Sequence, residues 1–297
     1  MALTLTVADQ RLLELVDPQA DLEVVADGFG FIEGPVWHDG RLIFSDIPGD
    51  QLLTWSPAAG VEVFRRPSHQ ANGNTLDRSG RLITCEHATS RVVREGPDGR
   101  TETIADTYEG RELNSPNDVV VTSDGSIWFT DPPFGRMAIF GDERARRLDF
   151  SGVFRLDPSG RLALVTARFA TPNGLCFSAD ERSLFVNDTS SGQIWAFDVS
   201  EDRSVGPGRL WATTQGEGRG APDGMKVDAR GNLWCTGPGG VHVFDDAGTW
   251  LGVVHTERNT ANFQWGGDRF DQLFLCSSDR LYRLTTLVTG RAPGRGG

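Results

Sequence analysis

Lysine is almost missing from this chain: Lys226 stands alone, and the rest of the basic charge is arginine. Basic side chains total 29 against 41 acidic ones, for a net charge of −12 over 297 residues. That balance argues against DNA, RNA or an anionic membrane face as the main partner, because phosphate surfaces need a basic footprint. It permits a cation. Long apolar runs are also missing. None approaches the roughly 18–20 residues that span a bilayer, and no basic stretch followed by an apolar one opens the chain as a secretory signal would. The expectation is a protein of the cytoplasm with no membrane partner. Cysteine is sparse, and Cys85, Cys176, Cys235 and Cys276 stand far apart with neither a CxxC pair nor metal-ligand spacing. Their apolar neighbours predict free thiols buried in strands. There is no GxSxG elbow, which argues against a Ser-His-Asp hydrolase. No GxGxxG leads from a strand into a helix, so a dinucleotide cofactor is not indicated. His38, His69, His242 and His255 show no mutual spacing that builds a zinc site or a catalytic dyad.

Helical patterning is nearly absent as well, and one short helix near Asp9–Leu15 is the sole candidate. What is present in quantity is glycine, 36 residues, with 15 prolines and many short runs rich in aromatic and branched side chains. Arg41–Ser45, Ser126–Thr130 and Ser183–Asn187 are such runs, and Asp39-Gly40, Ser79-Gly80, Asp124-Gly125 and Ser159-Gly160 are the turn signals between them. The pattern repeats. "DGRLIFSD" from Asp39, "SGRLITCE" from Ser79, "DGSIWFTD" from Asp124, "DERSLFVND" from Asp180, "RGNLWCTG" from Arg230 and "DRFDQLFLCSS" from Asp268 are six copies of one unit. Their period is close to the 40–50 residues of a propeller blade. A four-stranded blade cannot bury both faces alone, whereas a ring of blades can. The fold class expected is therefore all-β, a six-bladed β-propeller. Residues 1–297 form one domain, with blades at roughly 28–67, 68–112, 113–168, 169–218, 219–257 and 258–285. The segment before Leu22 either closes the last blade with an outer strand or wraps outside the ring. The eight Trp and seventeen Phe are assigned to packing between blades.

One position of the repeat carries the chemistry. The residues that enter the channel-lining strand of each blade are Glu33, Asn72, Asn117, Asn173, Asp223 and Asn262. Each bears a side-chain oxygen, and equivalent repeat positions project to the same end of the channel. Carboxylates and amide carbonyls suit Ca2+, which takes about 6–8 oxygens in flexible geometry, and they suit zinc or copper poorly. Glu33 and Asp223 would neutralise a divalent ion. Taken singly, Asn or Asp before Gly is also an ordinary turn residue, so the argument rests on the whole set being in register.

At these residues the sequence resembles the gluconolactonase/regucalcin (senescence-marker-protein-like) family, and its bacterial gluconolactonase branch in particular. The motifs are "EGPVW" at Glu33, "ANGNTLDRSGRLITCEH" at Ala71, "LNSPNDVVVTSDGSIWFTDPPFG" at Leu113, "TPNGLCFSADERSLFV" at Thr171 and "APDGMKVDARGNLWCTG" at Ala221. The resemblance implies a six-bladed, calcium-dependent lactonase with Ca2+ ligands at Glu33, Asn173 and Asp223. Asn117 matches a residue that binds the ion or touches substrate, depending on the branch. Asp223 also matches the residue proposed as general base in lactonases and as nucleophile in related phosphotriesterases. Asp131 matches an acidic pocket residue of bacterial lactone hydrolases. Asn72 and Asn262 have no firm counterpart and are kept as pocket lining. His87 is either a structural histidine or a hydrogen-bond partner of substrate. Where regucalcin-like proteins carry an arginine two residues before Asn117, this chain has Ser115, so contacts that depend on that arginine are not carried over.

The function expected is hydrolysis of a small-molecule sugar lactone to the aldonic acid. Ca2+ polarises the lactone carbonyl, and Asp223 or Asp131 acts as general base. Mg2+, Mn2+ and Zn2+ are the other divalent candidates. The alternatives are a phosphotriesterase of the diisopropylfluorophosphatase type and a non-catalytic calcium-binding propeller scaffold. The sequence does not fix the oligomeric state.

Overall fold

Each repeat folds into an antiparallel sheet because its two Gly-centred turns reverse strands whose residues are apolar and branched. The computed structural model describes residues 1–292. Among the described residues six sheets of four or five strands succeed one another along the chain, and in each the inner strands run in sequence order from the axis outward. The first is Ile32–His38, Arg41–Asp46, Gln51–Ser56 and Gly60–Arg65. The second is Ala71–Leu76, Leu82–Glu86, Arg91–Glu95 and Thr101–Ala105. The third is Val119–Val121, Ile127–Asp131, Gly152–Leu156 and Leu162–Thr166, and the fourth is Pro172–Phe177, Ser183–Asp188, Gln193–Asp198 and Arg209–Thr213. Met225–Val227, Leu233–Gly237, Gly240–Phe244 and Trp250–His255 make the fifth, and Thr260–Gly266, Gln272–Ser277 and Arg280–Thr285 begin the sixth. The molecule is a six-bladed β-propeller.

Of the two expectations for the segment before Leu22, the structure places it outside the ring, against the fifth blade, and not as an outer strand of the last one. Leu5–Val7 pairs with Trp250–His255 as a fifth strand outside the fifth blade, with Leu5 opposite Val254. A 3-10 turn over Gln10–Glu14 follows, capped by Asp9, whose carboxylate accepts the Arg11 N–H at 2.9 Å. Leu12, Leu15, Val16 and Leu22 then sink into the core shared by the last two blades. Glu23–Asp27, just beyond Leu22, is the outer strand of the sixth blade and pairs with Arg280–Thr285. The ring is thus closed by strands from both ends of the chain.

Aromatic rings pack across blade boundaries. Trp37 of the first blade stacks on Phe274 of the sixth at 5.4 Å, Trp128 of the third meets Phe177 of the fourth at 5.2 Å, and Trp234 of the fifth meets Trp265 of the sixth at 5.2 Å. Burying each such side chain contributes about 1.5–3 kcal/mol, which welds blades that share few backbone hydrogen bonds. All four cysteines are free and buried. Among the described residues no helix is long and apolar enough to cross a membrane.

Candidate functional site

Backbone irregularity at the axis aims the site residues. In the first blade Glu33 faces Ser45 and Val36 faces Ile43, so Gly34 and Pro35 stand opposite Phe44 alone. In the second, Asn72 and Gly73 stand opposite Cys85, and in the fourth, Asn173 and Gly174 stand opposite Asn187. An extra residue of this kind bends a strand and re-aims its side chains. Asn72-Gly73 and Asn173-Gly174 therefore mark bulges within innermost strands, not turns between strands. The glycines are required by crowding. A Cβ on Gly34, whose φ is +53°, would lie 2.0 Å from the Asn72 carbonyl oxygen, and one on Gly174 would lie 2.0 Å from that of Asp223. Adjacent inner strands approach closely enough to bring their entering residues together.

Glu33, Asn72, Asn117, Asn173 and Asp223 all line one cavity of about 190 Å3 at one end of the axis. Thr189 and Asn259 add polar wall, and Phe31, Ile47, Phe134 and Phe140 form an apolar side. His87 also lines the cavity. Asn262 lies behind it: its Nδ2 donates to Glu33 Oε2 at 2.9 Å, and its Oδ1 accepts the Phe263 N–H at 2.9 Å. Glu33 Oε2 also accepts the Gly34 N–H.

Several oxygens here have no donor. Asn173 turns its Nδ2 to Thr189 Oγ1 at 3.0 Å and leaves Oδ1 buried without a partner. Asn72 Nδ2 donates to His87 Nε2 at 3.1 Å, and its Oδ1 is orphaned in the same way. Asp118 bonds the Val119 N–H through Oδ1 at 2.9 Å while Oδ2 has no partner. Buried oxygens left like this are costly, and native proteins rarely tolerate them without a ligand. The carboxylates point the same way. Burial, and then the Asp118 charge, pushes Glu33 upward. Burial, followed by Glu33 and Asp118, pushes Asp223 well above the usual carboxylate range, although one side of it is open to the cavity. Lys226 is the cation that pulls Glu33 and Asp118 back. An oxygen-seeking divalent cation fits this donor set of carboxylates and free amide oxygens. Among the described residues no three His, Cys, Asp or Glu side chains form a metal-holding group by themselves, so such an ion would need the amide oxygens as well.

Three residues singled out in the sequence have other occupations. Asp131 does not line the cavity. It is fully buried, and its oxygens accept the backbone N–H groups of Asn114 at 2.8 Å and Ser115 at 2.7 Å. Burial pushes its carboxyl up to about 7, while those two donors pull it down. Equivalent acids end the second strands of other blades. Asp46 accepts the Gly30 and Phe31 N–H groups, and Asp188 accepts those of Thr171 and Ser190. In these three blades the position is a brace that ties a loop to its strand, and it leaves Asp131 outside the cavity. His87 spends both ring nitrogens. Nδ1–H donates to the Phe140 carbonyl at 2.8 Å, so Nε2 is the acceptor for Asn72 and the ring is neutral; burial holds its pKa down at about 4. Its work is to orient Asn72 and the Phe140 loop. Ser115 is also fully buried, and its hydroxyl is held between the Pro132 carbonyl and the Gly135 N–H.

Sequence reasoning missed Asp118 and the apolar wall. Asp118 directly follows Asn117, at the place where Gly34, Gly73, Gly174 and Gly224 follow their own entering residues. That departure from the repeat was the available signal. Phe134 and Phe140 arrive on the long connection between Ile127–Asp131 and Gly152–Leu156, pinned by buried Arg136 to the carbonyls of Leu113 and Asn114.

The family model described as "SMP-30/Gluconolactonase/LRE-like region" matches residues 31–279. The chain belongs to this family. A gluconolactonase of Zymomonas mobilis is 32% identical, over 94% of this chain and 85% of its own. A solved structure described as a gluconolactonase of Xanthomonas campestris superposes on this family member with a TM-score of 0.87 at 34% identity, covering 96% of this chain and 95% of that one. A calcium-binding regucalcin of Agrobacterium tumefaciens superposes at a TM-score of 0.77 with 17% identity, over 94% of this chain and 98% of its own, a likeness of fold.

Proposed function

We propose that this family member is a divalent-metal-dependent lactonase that opens a neutral sugar lactone to its aldonic acid. The observation that carries the reading is the pair of buried, unpartnered amide oxygens, Asn72 Oδ1 and Asn173 Oδ1, in one cavity with Glu33 and Asp223. Gluconolactonase relatives along nearly the whole chain support the substrate class.

Glu33, Asn173 and Asp223 would hold the ion, with Asn117 beside them, and Ca2+ is the candidate the oxygen donors favour. When bound, the ion supplies a Lewis acid for the lactone carbonyl oxygen. Asp223 takes a proton from the water as its oxygen bonds the carbonyl carbon; the bond from that carbon to the ring oxygen then breaks, and the ring oxygen takes the proton back from Asp223, leaving a carboxylic acid, a free hydroxyl and the Asp223 carboxylate. Asp223 suits this role because it is the carboxylate open to the cavity, whereas Glu33 is buried against Gly34 and Asn262. The amide groups of Asn72 and Asn259 and the Thr189 hydroxyl face the substrate's hydroxyls, and Phe31, Phe134 and Phe140 cover its apolar face.

Hydrolysis of glucono-δ-lactone, followed by acid release after stripping with chelator and after return of Ca2+, tests the proposal. Activity lost on stripping and restored by Ca2+ is expected. Full activity in the stripped protein would overturn metal dependence. No turnover of any lactone while Ca2+ still raises the melting temperature would move the reading to phosphotriester substrates or to a scaffold.

A further inference from the structure

We infer that Asn187, a residue outside the cavity, is a positioning residue that sets the span between Asn173 and Asp223; the inference rests on the metal-site reading above. Asn187 lies on the second strand of the fourth blade and is fully buried. It stands opposite the bulge that contains Asn173 and Gly174. Its Oδ1 accepts the Gly174 N–H at 3.2 Å. Its Nδ2 crosses the blade boundary and donates to the Asp223 carbonyl at 2.5 Å. One amide thus grips the backbone beside one candidate ligand and the backbone of another, which belong to different blades.

The repeat shows that this is a device and not an accident of packing. The equivalent second-strand position is Ser45 in the first blade and Thr130 in the third. Ser45 Oγ donates to the Asn72 carbonyl at 2.6 Å, and Thr130 Oγ1 donates to the Asn173 carbonyl at 2.7 Å. At each of these boundaries a side-chain donor from one blade holds the carbonyl of the next blade's entering residue. Asn173 is therefore held by Thr130 from one side, and Asn187 passes the constraint on to Asp223. Thr236 Oγ1 accepts the Asp223 N–H at 2.9 Å, so the Asp223 peptide groups are fixed on both sides. Thr130 matches Asn187 in both halves, because its Oγ1 also accepts the N–H of Asp118, the residue that stands where Gly174 stands in the fourth blade, at 3.2 Å, whereas Ser45 Oγ accepts only a side-chain donor, Asn74 Nδ2 at 2.9 Å. Asn187 supplies donor and acceptor together, at a boundary where Gly174 has no room for a Cβ. A donor that fixes the backbone of a ligand acts on metal affinity through orientation, and losses of this kind run to about 10–100-fold.

The test compares Asn187→Thr with Asn187→Val in the full chain. The two side chains have the same shape, and only Thr keeps a donor of the kind Thr130 uses. Ca2+ affinity is read by calorimetry and by the Ca2+-induced rise in melting temperature, with kcat and KM as a second readout. Asn187→Val is expected to bind Ca2+ about 10–100-fold more weakly, while Asn187→Thr stays within a few-fold of the parent. Equal affinity in the parent and Asn187→Val would overturn the inference. Equal loss in Thr and Val would overturn it too, because volume and not the donor would then be responsible. If the parent chain itself binds neither Ca2+, Mg2+ nor Mn2+, the metal-site reading fails and takes this inference with it, a result that cannot be confused with the first two.

Discussion

The Asn262 amide and the Glu33 carboxylate, 2.9 Å apart, join the last blade to the first at the floor of the cavity. The Phe263 N–H occupies Asn262 Oδ1, which fixes the orientation of the amide and leaves its nitrogen for Glu33. Asn262→Ala strips a buried carboxylate of a donor. Metal-free protein is expected to lose about 1–3 kcal/mol in urea unfolding, and Ca2+ is expected to recover part of that loss by pairing Glu33. A variant as stable as the parent without metal would show that Glu33 does not depend on this contact.

Asp131 and Asp223 are both acids that burial pushes upward, and geometry separates them. Asp131 is closed in by two backbone donors, whereas Asp223 opens on the cavity. Asp131→Asn puts an N–H where an N–H already points, so a stability loss of about 1–3 kcal/mol is expected with kcat/KM kept in the folded enzyme. Asp223→Asn is expected to lower kcat by at least about a hundredfold, the usual contribution of a general base. Thermal melts and lactone kinetics on the two variants check this. A soluble, fully folded Asp131→Asn enzyme without activity would reverse the assignment.

The same comparison shows what the sequence made legible. Glu33, Asn72, Asn117, Asn173 and Asp223 could be found because a repeat forces equivalent positions to one end of an axis, and the structure brings these five to one cavity. The bracing position of Asp131 was written in the repeat as well, in the acids that close "LIFSD", "IWFTD" and "LFVND". Taken as a single motif, "FTDPPFG" shows only an acid. The Phe140 wall was not legible. It depends on where a connection of irregular backbone lands, and that is decided by Arg136 reaching carbonyls more than twenty residues earlier. Local pattern does not encode such a contact.

His87 ties stability to pH. Its pKa falls from 6.5 to about 4 because burial disfavours the charged ring. The unfolded chain therefore takes up a proton near pH 6.5 that the folded protein refuses until about pH 4. Stability from this group is complete above pH 6.5, falls as the pH drops through that window and levels off below it. The gap is worth about 3 kcal/mol. Urea unfolding from pH 7.5 down to 4.5 should show a steeper decline in the parent than in His87→Gln. Parallel curves would mean that the ring is protonated in the fold.

Substrate charge provides the sharpest test of the cavity. Its lining carries Glu33 and Asp223 and no arginine or lysine. Lys226, the one lysine, is on the innermost strand of the fifth blade but is not part of that lining. A lactone bearing a phosphate would meet carboxylates with no basic side chain to pair it, and would have to surrender its hydration against Phe31 and Phe140. Those two rings meet edge to face at 5.3 Å. Glucono-δ-lactone should therefore exceed its 6-phosphate in kcat/KM by at least about tenfold, a difference of about 1.4 kcal/mol. Raising the salt concentration should narrow the gap only slightly, because charges held inside a cavity are poorly screened. Equal rates on the two lactones would mean that the phosphate sits outside the aromatic wall, and that Phe31 and Phe140 do not close over the bound ring.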